Sequence, residues 1–204
     1  MPRKLCCGKI RDRREYKREK RGLHLSTITL YHGTSYDFDC IDLQYSRPYK
    51  DFGKGFYATA DINHARSMAE RNVEMRMSKL QLQNLESDVL GKRLYEYRFD
   101  MDKASRLLVK EFTEAGREWG LFVTSNRNSR DVSHKYDIVF GPTANDYTNP
   151  TIQFYLSGGV GEVGSDAAID ELVRLLMPFK LPSQYYFATQ QAIDCLTLTR
   201  KELF

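Results

Sequence analysis

Two glycine-bearing segments decide the fold: residues 30–34 read Leu-Tyr-His-Gly-Thr, and residues 51–59 read Asp-Phe-Gly-Lys-Gly-Phe-Tyr-Ala-Thr. The first completes a short strand that begins with the alternating residues 27–29, so His32 is predicted to lie at a strand end. The two glycines of the second segment permit backbone conformations, or a close ligand approach, that a Cβ would hinder. A histidine turn beside an aromatic pair suits a flat heteroaromatic ligand that carries sugars.

The sequence around these segments predicts a loop and a long helix. Residues 36–50 show no sustained period and are predicted to form a loop, which at that length usually serves a site. From Ile62 to Leu80, apolar residues recur at three-to-four spacing, which predicts the longest helix of the chain. Either Thr59 or Asp61 is suited to be its N-cap.

Alternation and periodicity predict the remaining elements. The predicted strands are residues 94–99, 136–140, 151–156, 184–188 and 196–199. The predicted helices are residues 104–112, 114–125, 165–177 and 189–194. Short strands dispersed among helices, without regular βαβ alternation, favour an α+β fold.

Composition predicts one globular domain outside membranes. The 204 residues are 41% hydrophobic and 28% charged, and no apolar run approaches the roughly 20 residues of a membrane-spanning helix. The basic N-terminus lacks the apolar segment of a secretory signal. A cytoplasmic location without a membrane span is therefore expected.

The net charge of +4 is unevenly distributed. Residues 1–22 contain ten Lys or Arg and three acidic residues, a formal +7, so the remainder carries −3. We therefore divide the chain into a basic N-terminal arm, residues 1–26, and a domain, residues 27–204. Such an arm is attracted to nucleic acid or an anionic surface, although a solvated and partly helical extension is an equal alternative.

The cysteines and histidines do not predict a metal site. Cysteines occur at positions 6, 7, 40 and 195, and neither they nor the four histidines show metal-ligand spacing or a disulfide framework. Residues 51–55 also lack the context of a kinase metal motif and the spacing of a phosphate-binding loop. Metal-dependent and P-loop chemistry are not expected.

Taken together, the motifs resemble those of the ADP-ribosyltransferase superfamily, on its poly(ADP-ribose) polymerase and diphtheria-toxin side. Its first two motifs are similar to Tyr31-His32-Gly33-Thr34 and Gly53-Lys54-Gly55-Phe56-Tyr57. Its third motif is a late strand that usually carries glutamate, and residues 183–187 resemble it with Gln184 instead. Residues 30–198 are most similar to a bacterial branch of unknown function. That branch also has a helix with four characteristic residues, which this chain matches at Trp119, Phe122, Asn126 and Arg127.

This resemblance implies a single domain with a split, mostly antiparallel sheet flanked by helices, and NAD as substrate without a metal. His32 would bond a ribose hydroxyl, the Gly33 backbone would pair with the nicotinamide carboxamide, and Tyr57 would stack on the nicotinamide ring. The implied catalytic residues are His32, Tyr57 and Gln184. The implied NAD-binding residues are His32, Gly33, Thr34, Gly55, Phe56, Tyr57 and Arg127.

The implied activity is mono-ADP-ribosylation of a protein or nucleic acid, as in toxin-type effectors with a neutralising antitoxin-like partner. Glutamine cannot act as a base at neutral pH, so elongation to poly(ADP-ribose) is not expected. Asp146 or Asp51 is a candidate to supply the missing carboxylate. The alternative is a catalytically weak or inactive NAD- or ADP-ribose-binding module that the arm tethers to nucleic acid. A third alternative is an interaction domain that keeps the motifs only as scaffold.

Overall fold

The computed structural model describes residues 27–82, 91–145, 147–177 and 182–204. The basic arm, residues 1–26, and Asp146 lie outside these ranges. The strands are β1 (Thr27–Thr34), β2 (Phe56–Ala58), β3 (Arg93–Asp100), β4 (Val109–Glu111), β5 (Ile138–Pro142), β6 (Ser183–Phe187) and β7 (Leu196–Leu203). The helices are α1 (Ile62–Leu82), α2 (Met101–Ala104), α3 (Arg117–Arg127), α4 (Thr148–Leu156), α5 (Asp166–Leu176) and α6 (Gln190–Ile193).

The described strands form two sheets. One has the antiparallel order β1-β3-β7, and the other has the order β2-β6-β5-β4, in which only β4 and β5 run parallel. An antiparallel bridge between Tyr31 and Thr59 joins them, with N–H···O distances of 2.7 and 2.9 Å. The predicted α+β class and the mostly antiparallel pairing are confirmed.

Two apolar clusters hold the layers together. In the first cluster, Trp119 of α3 and Leu172 of α5 are buried together with Val139 of β5, a strand of the four-stranded sheet. Leu30 of β1 and Phe187 of β6 belong to a second cluster between the sheets. Burial of each such side chain contributes about 1.5–3 kcal/mol, so both interfaces are substantial.

Helix α1 covers β1 at unusually close range. It begins at an Asx cap, in which Asp61 Oδ1 accepts hydrogen bonds from the backbone of Asn63 and His64, at 2.8 and 3.2 Å. A Cβ built on Gly33 would lie only 1.6 Å from the Ala65 carbonyl oxygen. Glycine at position 33 therefore permits the contact between the helix and the strand.

Three predicted elements were wrong. Strand β1 continues to Thr34, so His32 lies inside the strand and not at its end. Residues 104–112 contain the end of α2 and the edge strand β4, not a helix. Residues 151–156 belong to helix α4, not to a strand. A short apolar run such as residues 151–156 fits a buried helix and a buried strand equally well.

Candidate functional site

The candidate site lies past the Tyr31–Thr59 bridge, where β1 and β2 have no further backbone pairing among the described residues. We call this unpaired stretch the gap. His32 Nδ1 lies 2.7 Å from the Tyr57 carbonyl oxygen. Because a carbonyl only accepts, Nδ1 carries the proton, and Nε2 of the neutral ring keeps its lone pair. Burial lowers the pKa of His32 to about 4, against an opposing contribution from this hydrogen bond. At neutral pH the residue therefore offers an acceptor without a charge.

The Gly33 backbone faces the same gap. Tyr31 directs its N–H and C=O toward Thr59, away from β3. Backbone groups alternate sides along a strand, so those of Gly33 point in the same direction as those of Tyr31. The Asn72 side chain donates to the Gly33 carbonyl at 3.3 Å. Gly33 thus presents one donor and one acceptor where the two sheets part.

The Tyr57 side chain has contacts at its hydroxyl and at its ring. Its hydroxyl donates to the Gly53 carbonyl at 2.7 Å and accepts from the Phe52 N–H at 3.1 Å. Its ring lies 5.2 Å from that of Tyr186, its cross-strand partner on β6. Burial, and secondly the nearby Asp51, raise the pKa of Tyr57 well above its ordinary value. The hydroxyl therefore stays protonated and can make both of these hydrogen bonds to the loop.

The loop before β2 is braced from several sides. Gly53 has φ of +98°, a conformation that favours glycine, and a Cβ on Gly55 would lie 2.2 Å from the Tyr186 ring. His134 Nε2 lies 2.8 Å from the Phe52 carbonyl oxygen, and its ring stacks on Phe122. The sequence places His134 only in a polar loop, because nothing local indicates this distant partner.

Asp51 is the centre of a hydrogen-bond network. Arg127 Nε and Nη2 donate to its Oδ1, at 2.8 and 2.6 Å. The Ala144 N–H and Gln184 Nε2 donate to its Oδ2, at 3.1 and 2.7 Å. Asp51 is only 4% exposed. A carboxylate so buried and so fully bonded is suited to positioning its neighbours.

This network fixes the orientation of Gln184. An ionised carboxylate only accepts, so the amide nitrogen must face Asp51, and Oε1 is turned away from it. Gln184 and Tyr186 lie two residues apart on β6, and Tyr57 is opposite Tyr186, so all three side chains share one face of the sheet. The structure therefore brings Tyr57 and Gln184 together.

The other predicted site residues have mainly structural contacts. Arg127 pairs with Asp51 and donates through Nη1 to Asn149 at 3.2 Å, so its charge is compensated. The Thr34 hydroxyl accepts from the Tyr36 N–H at 3.2 Å. Phe56 is buried between the sheets, and its ring centroid lies 4.6 Å from that of His32. Contact of these residues with NAD stays a prediction.

The sequence matches a family described as protein of unknown function (DUF3990) over residues 28–198. The chain belongs to this family. No curated protein and no solved structure matches the sequence. The part that matches DUF3990 includes both glycine-bearing segments, Arg127 and Gln184, and thus every candidate site residue described above.

Within the described ranges, this DUF3990 chain has no group of three or more His, Cys, Asp or Glu residues placed to hold a metal ion. No helix in that part of the chain is long and apolar enough to cross a membrane. Cys40 and Cys195 are both free thiols, the first exposed and the second buried.

Proposed function

We propose that this DUF3990 protein has an ADP-ribosyltransferase-like fold and is an NAD-dependent mono-ADP-ribosyltransferase for a protein or nucleic-acid acceptor. The observation that carries the proposal is the gap between β1 and β2, where the neutral His32 ring adjoins the Gly33 backbone groups that point away from β3. A toxin-type effector with a neutralising partner is the setting that the sequence resemblance suggests.

The groups around the gap match the parts of a nicotinamide riboside. His32 Nε2 would accept a hydrogen bond from a ribose hydroxyl, and the Gly33 backbone would pair with the carboxamide. The Tyr57 ring, fixed by its hydroxyl, would stack on the electron-poor nicotinamide. A neutral histidine also suits this place, because an imidazolium would repel the cationic nicotinamide ring.

The transfer requires that the bond between nicotinamide and the ribose C1′ break. Its electron pair stays on the ring nitrogen, which becomes neutral, and an acceptor lone pair forms the new bond to C1′. The proton of the acceptor passes to solvent. The sugar becomes positively charged on the way, so oriented dipoles that face it lower the barrier.

Gln184 would supply one such dipole. Asp51 holds its amide nitrogen at 2.7 Å, which leaves Oε1 as an acceptor for a ribose hydroxyl. An amide cannot remove a proton from a sugar hydroxyl at neutral pH, so a single transfer is expected and chain elongation is not. Asp51, which is buried under four hydrogen-bond donors, acts here as a positioning residue.

Labelled NAD tests the proposal. The purified chain is incubated with NAD that carries ³²P in its adenylate half, with and without a cell lysate, and free nicotinamide is measured in parallel. We expect label in a protease- or nuclease-sensitive product, and loss of that label in His32→Ala. His64→Ala, a histidine of α1 outside the gap, is the matched control and should retain transfer. Saturable NAD binding without transfer or nicotinamide release would refute the enzymatic proposal.

A binding module without turnover is the second candidate function. This candidate is favoured because Asp51, the carboxylate that Gln184 contacts, already accepts hydrogen bonds from Arg127 and from the Ala144 N–H. Its oxygens are therefore occupied by donors of the protein itself. The other candidate carboxylate, Asp146, lies outside the described residues. For this candidate, calorimetry should show that NAD and ADP-ribose bind to the chain, while no nicotinamide is released over hours.

A further inference from the structure

A cavity of about 240 Å³ lies beyond the end of β1. Its polar lining comes from the loop that follows β1 and from one face of α1. These residues are Ser35, Tyr36, Arg47, Asn72, Arg76 and Lys79. We refer to this cavity as the basic pocket.

The charge of the basic pocket is one-sided. Arg47, Arg76 and Lys79 contribute three cations, and none of the described residues that line the pocket is acidic. Arg76 is also held in place, because its Nη1 donates to the Ser35 carbonyl at 3.0 Å and its guanidinium lies 4.1 Å from the centre of the Tyr36 ring. A fixed guanidinium among further cations is suited to a phosphate group.

Ser35 provides an independent indication of a ligand. The residue is only 2% exposed, and its hydroxyl has no hydrogen-bond partner among the described residues. A buried hydroxyl without a partner is unfavourable, and such groups in proteins are normally satisfied. An acceptor oxygen from a ligand in the pocket would supply the missing partner after rotation about χ1.

The basic pocket adjoins the gap between β1 and β2. Asn72 lines the pocket and also donates to the Gly33 carbonyl, at 3.3 Å. Ser35 follows Gly33 by two residues, which corresponds to roughly 7 Å of extended chain. One ribose can bridge a separation of this order.

We propose that the basic pocket binds the diphosphate of the NAD molecule whose nicotinamide end occupies the gap. The assignment rests on the proposed function, because it takes the occupant of the gap to be NAD. It gives α1 a direct part in ligand binding through Arg76 and Lys79, which belong to neither glycine-bearing segment. Inorganic pyrophosphate, as the free form of the same group, should therefore bind to the pocket and compete with NAD.

Isothermal titration calorimetry on the full chain tests this assignment, with pyrophosphate, NAD and nicotinamide as probes. Arg76→Ala should weaken the binding of pyrophosphate and NAD by on the order of tenfold each, because each loses a charge-assisted contact, and should leave nicotinamide binding unchanged. Arg71→Ala is the matched control, since Arg71 is exposed on the same helix and outside the pocket lining. Ser35→Ala and Lys79→Ala, which leave the Arg76 contacts in place, should each weaken pyrophosphate binding.

The outcomes separate the two proposals. If pyrophosphate binds equally well to the Arg76 and Arg71 variants, the pocket is not a phosphate site. If pyrophosphate binds to the NAD-saturated chain with unchanged affinity, the diphosphate of NAD lies elsewhere and the assignment is overturned. If NAD does not bind at all but pyrophosphate binding depends on Arg76, the proposed function fails while the pocket stands as a phosphate site.

Discussion

The structure gives a physical reason for the glutamine at position 184. Gln184 Nε2 lies 2.7 Å from Asp51 Oδ2, so a glutamate in the same rotamer would bring two carboxylates within hydrogen-bond distance. Two carboxylates at such a site cannot both ionise easily. The buried pair of Asp51 and Arg127 and the amide at position 184 are therefore parts of one arrangement.

Gln184→Glu should make stability depend on pH in a new way. The shared site raises the pKa of one carboxyl in the folded state above its unfolded value near 4.3. That carboxyl therefore keeps its proton to a higher pH in the folded state than in the unfolded state. The unfolding free energy of the variant, relative to wild type, should therefore fall as pH rises from 4.5 to 7.5, by about 1–3 kcal/mol. Urea denaturation at several pH values measures it. Gln191→Glu, at an exposed position of α6, is the control, and a pH-independent difference for Gln184→Glu would contradict the arrangement.

His32 should destabilise the protein in mild acid. Its pKa is about 4 in the folded state and near 6.5 when unfolded, so between these values only the unfolded state takes up the proton. The contribution of His32 to the unfolding free energy should thus fall by at most roughly 3 kcal/mol as pH drops from 6.5 to 4. His32→Gln should lack this decrease in urea denaturation. Burial also lowers the pKa of His134, but this effect is common to wild type and variant and cancels in the difference between their stability curves against pH. Parallel curves for the two proteins would contradict the prediction.

At the scale of elements, Gly33 sets the distance between α1 and β1. Gly33→Ala would place a methyl group 1.6 Å from the Ala65 carbonyl oxygen, so the helix must move away from the strand. We expect destabilisation of more than about 3 kcal/mol, comparable to severe overpacking of a core. Gly116→Ala is the control, because its nearest neighbour would lie 3.5 Å away. Gly116 is the N-cap of α3, where alanine in place of glycine should cost only about 1 kcal/mol. Thermal denaturation compares the two, and equal melting temperatures would show that α1 is not held at this distance.

The sequence predicted the elements with strong periodicity and missed those with short or ambiguous patterns. Helix α5 was predicted with its Ser165 cap, and β6 was predicted within one residue of its bounds. The edge strand β4 has only three residues. In its pairing with β5, Val109 lies opposite Ile138, which is 29 residues later in the sequence. Such a strand is stabilised by tertiary pairing, which no local pattern reveals.

For the candidate site, sequence motifs identified residues but not their connections. His32, Tyr57 and Gln184 stood out because glycines and aromatic residues surround them. The bonds that join Asp51 to Arg127 and to Gln184 span 76 and 133 residues. Long-range hydrogen bonds of this kind depend on the folded geometry, so the sequence suggested Asp51 as a substitute base without indicating that its carboxylate is buried and accepts four hydrogen bonds.

At the scale of the whole molecule, charge separates the arm from the domain. The arm carries +7 within residues 1–22, while the remaining residues sum to −3. Within the domain, the three cations of the basic pocket face one cavity beside the gap. The domain is thus cationic at the proposed diphosphate site although its total charge is negative, and binding to a long polyanion is expected to depend on the arm.

Neutralising the arm should therefore reduce the salt dependence of nucleic-acid binding without changing NAD binding. Each arm cation that pairs with a phosphate contributes about −0.9 to the slope of log K against log salt for duplex DNA, so the slope should become shallower with each such cation that is replaced. The arm variant replaces five of the ten arm cations with serine: Arg11, Arg13, Arg14, Lys17 and Arg18. The control replaces the same number of exposed cations of the domain: Lys103, Arg106, Arg130, Lys135 and Arg174. Fluorescence anisotropy between about 50 and 300 mM salt gives the slopes. Equal slopes for the two variants would show that the arm does not bind nucleic acid, because charge number is matched and only its position differs.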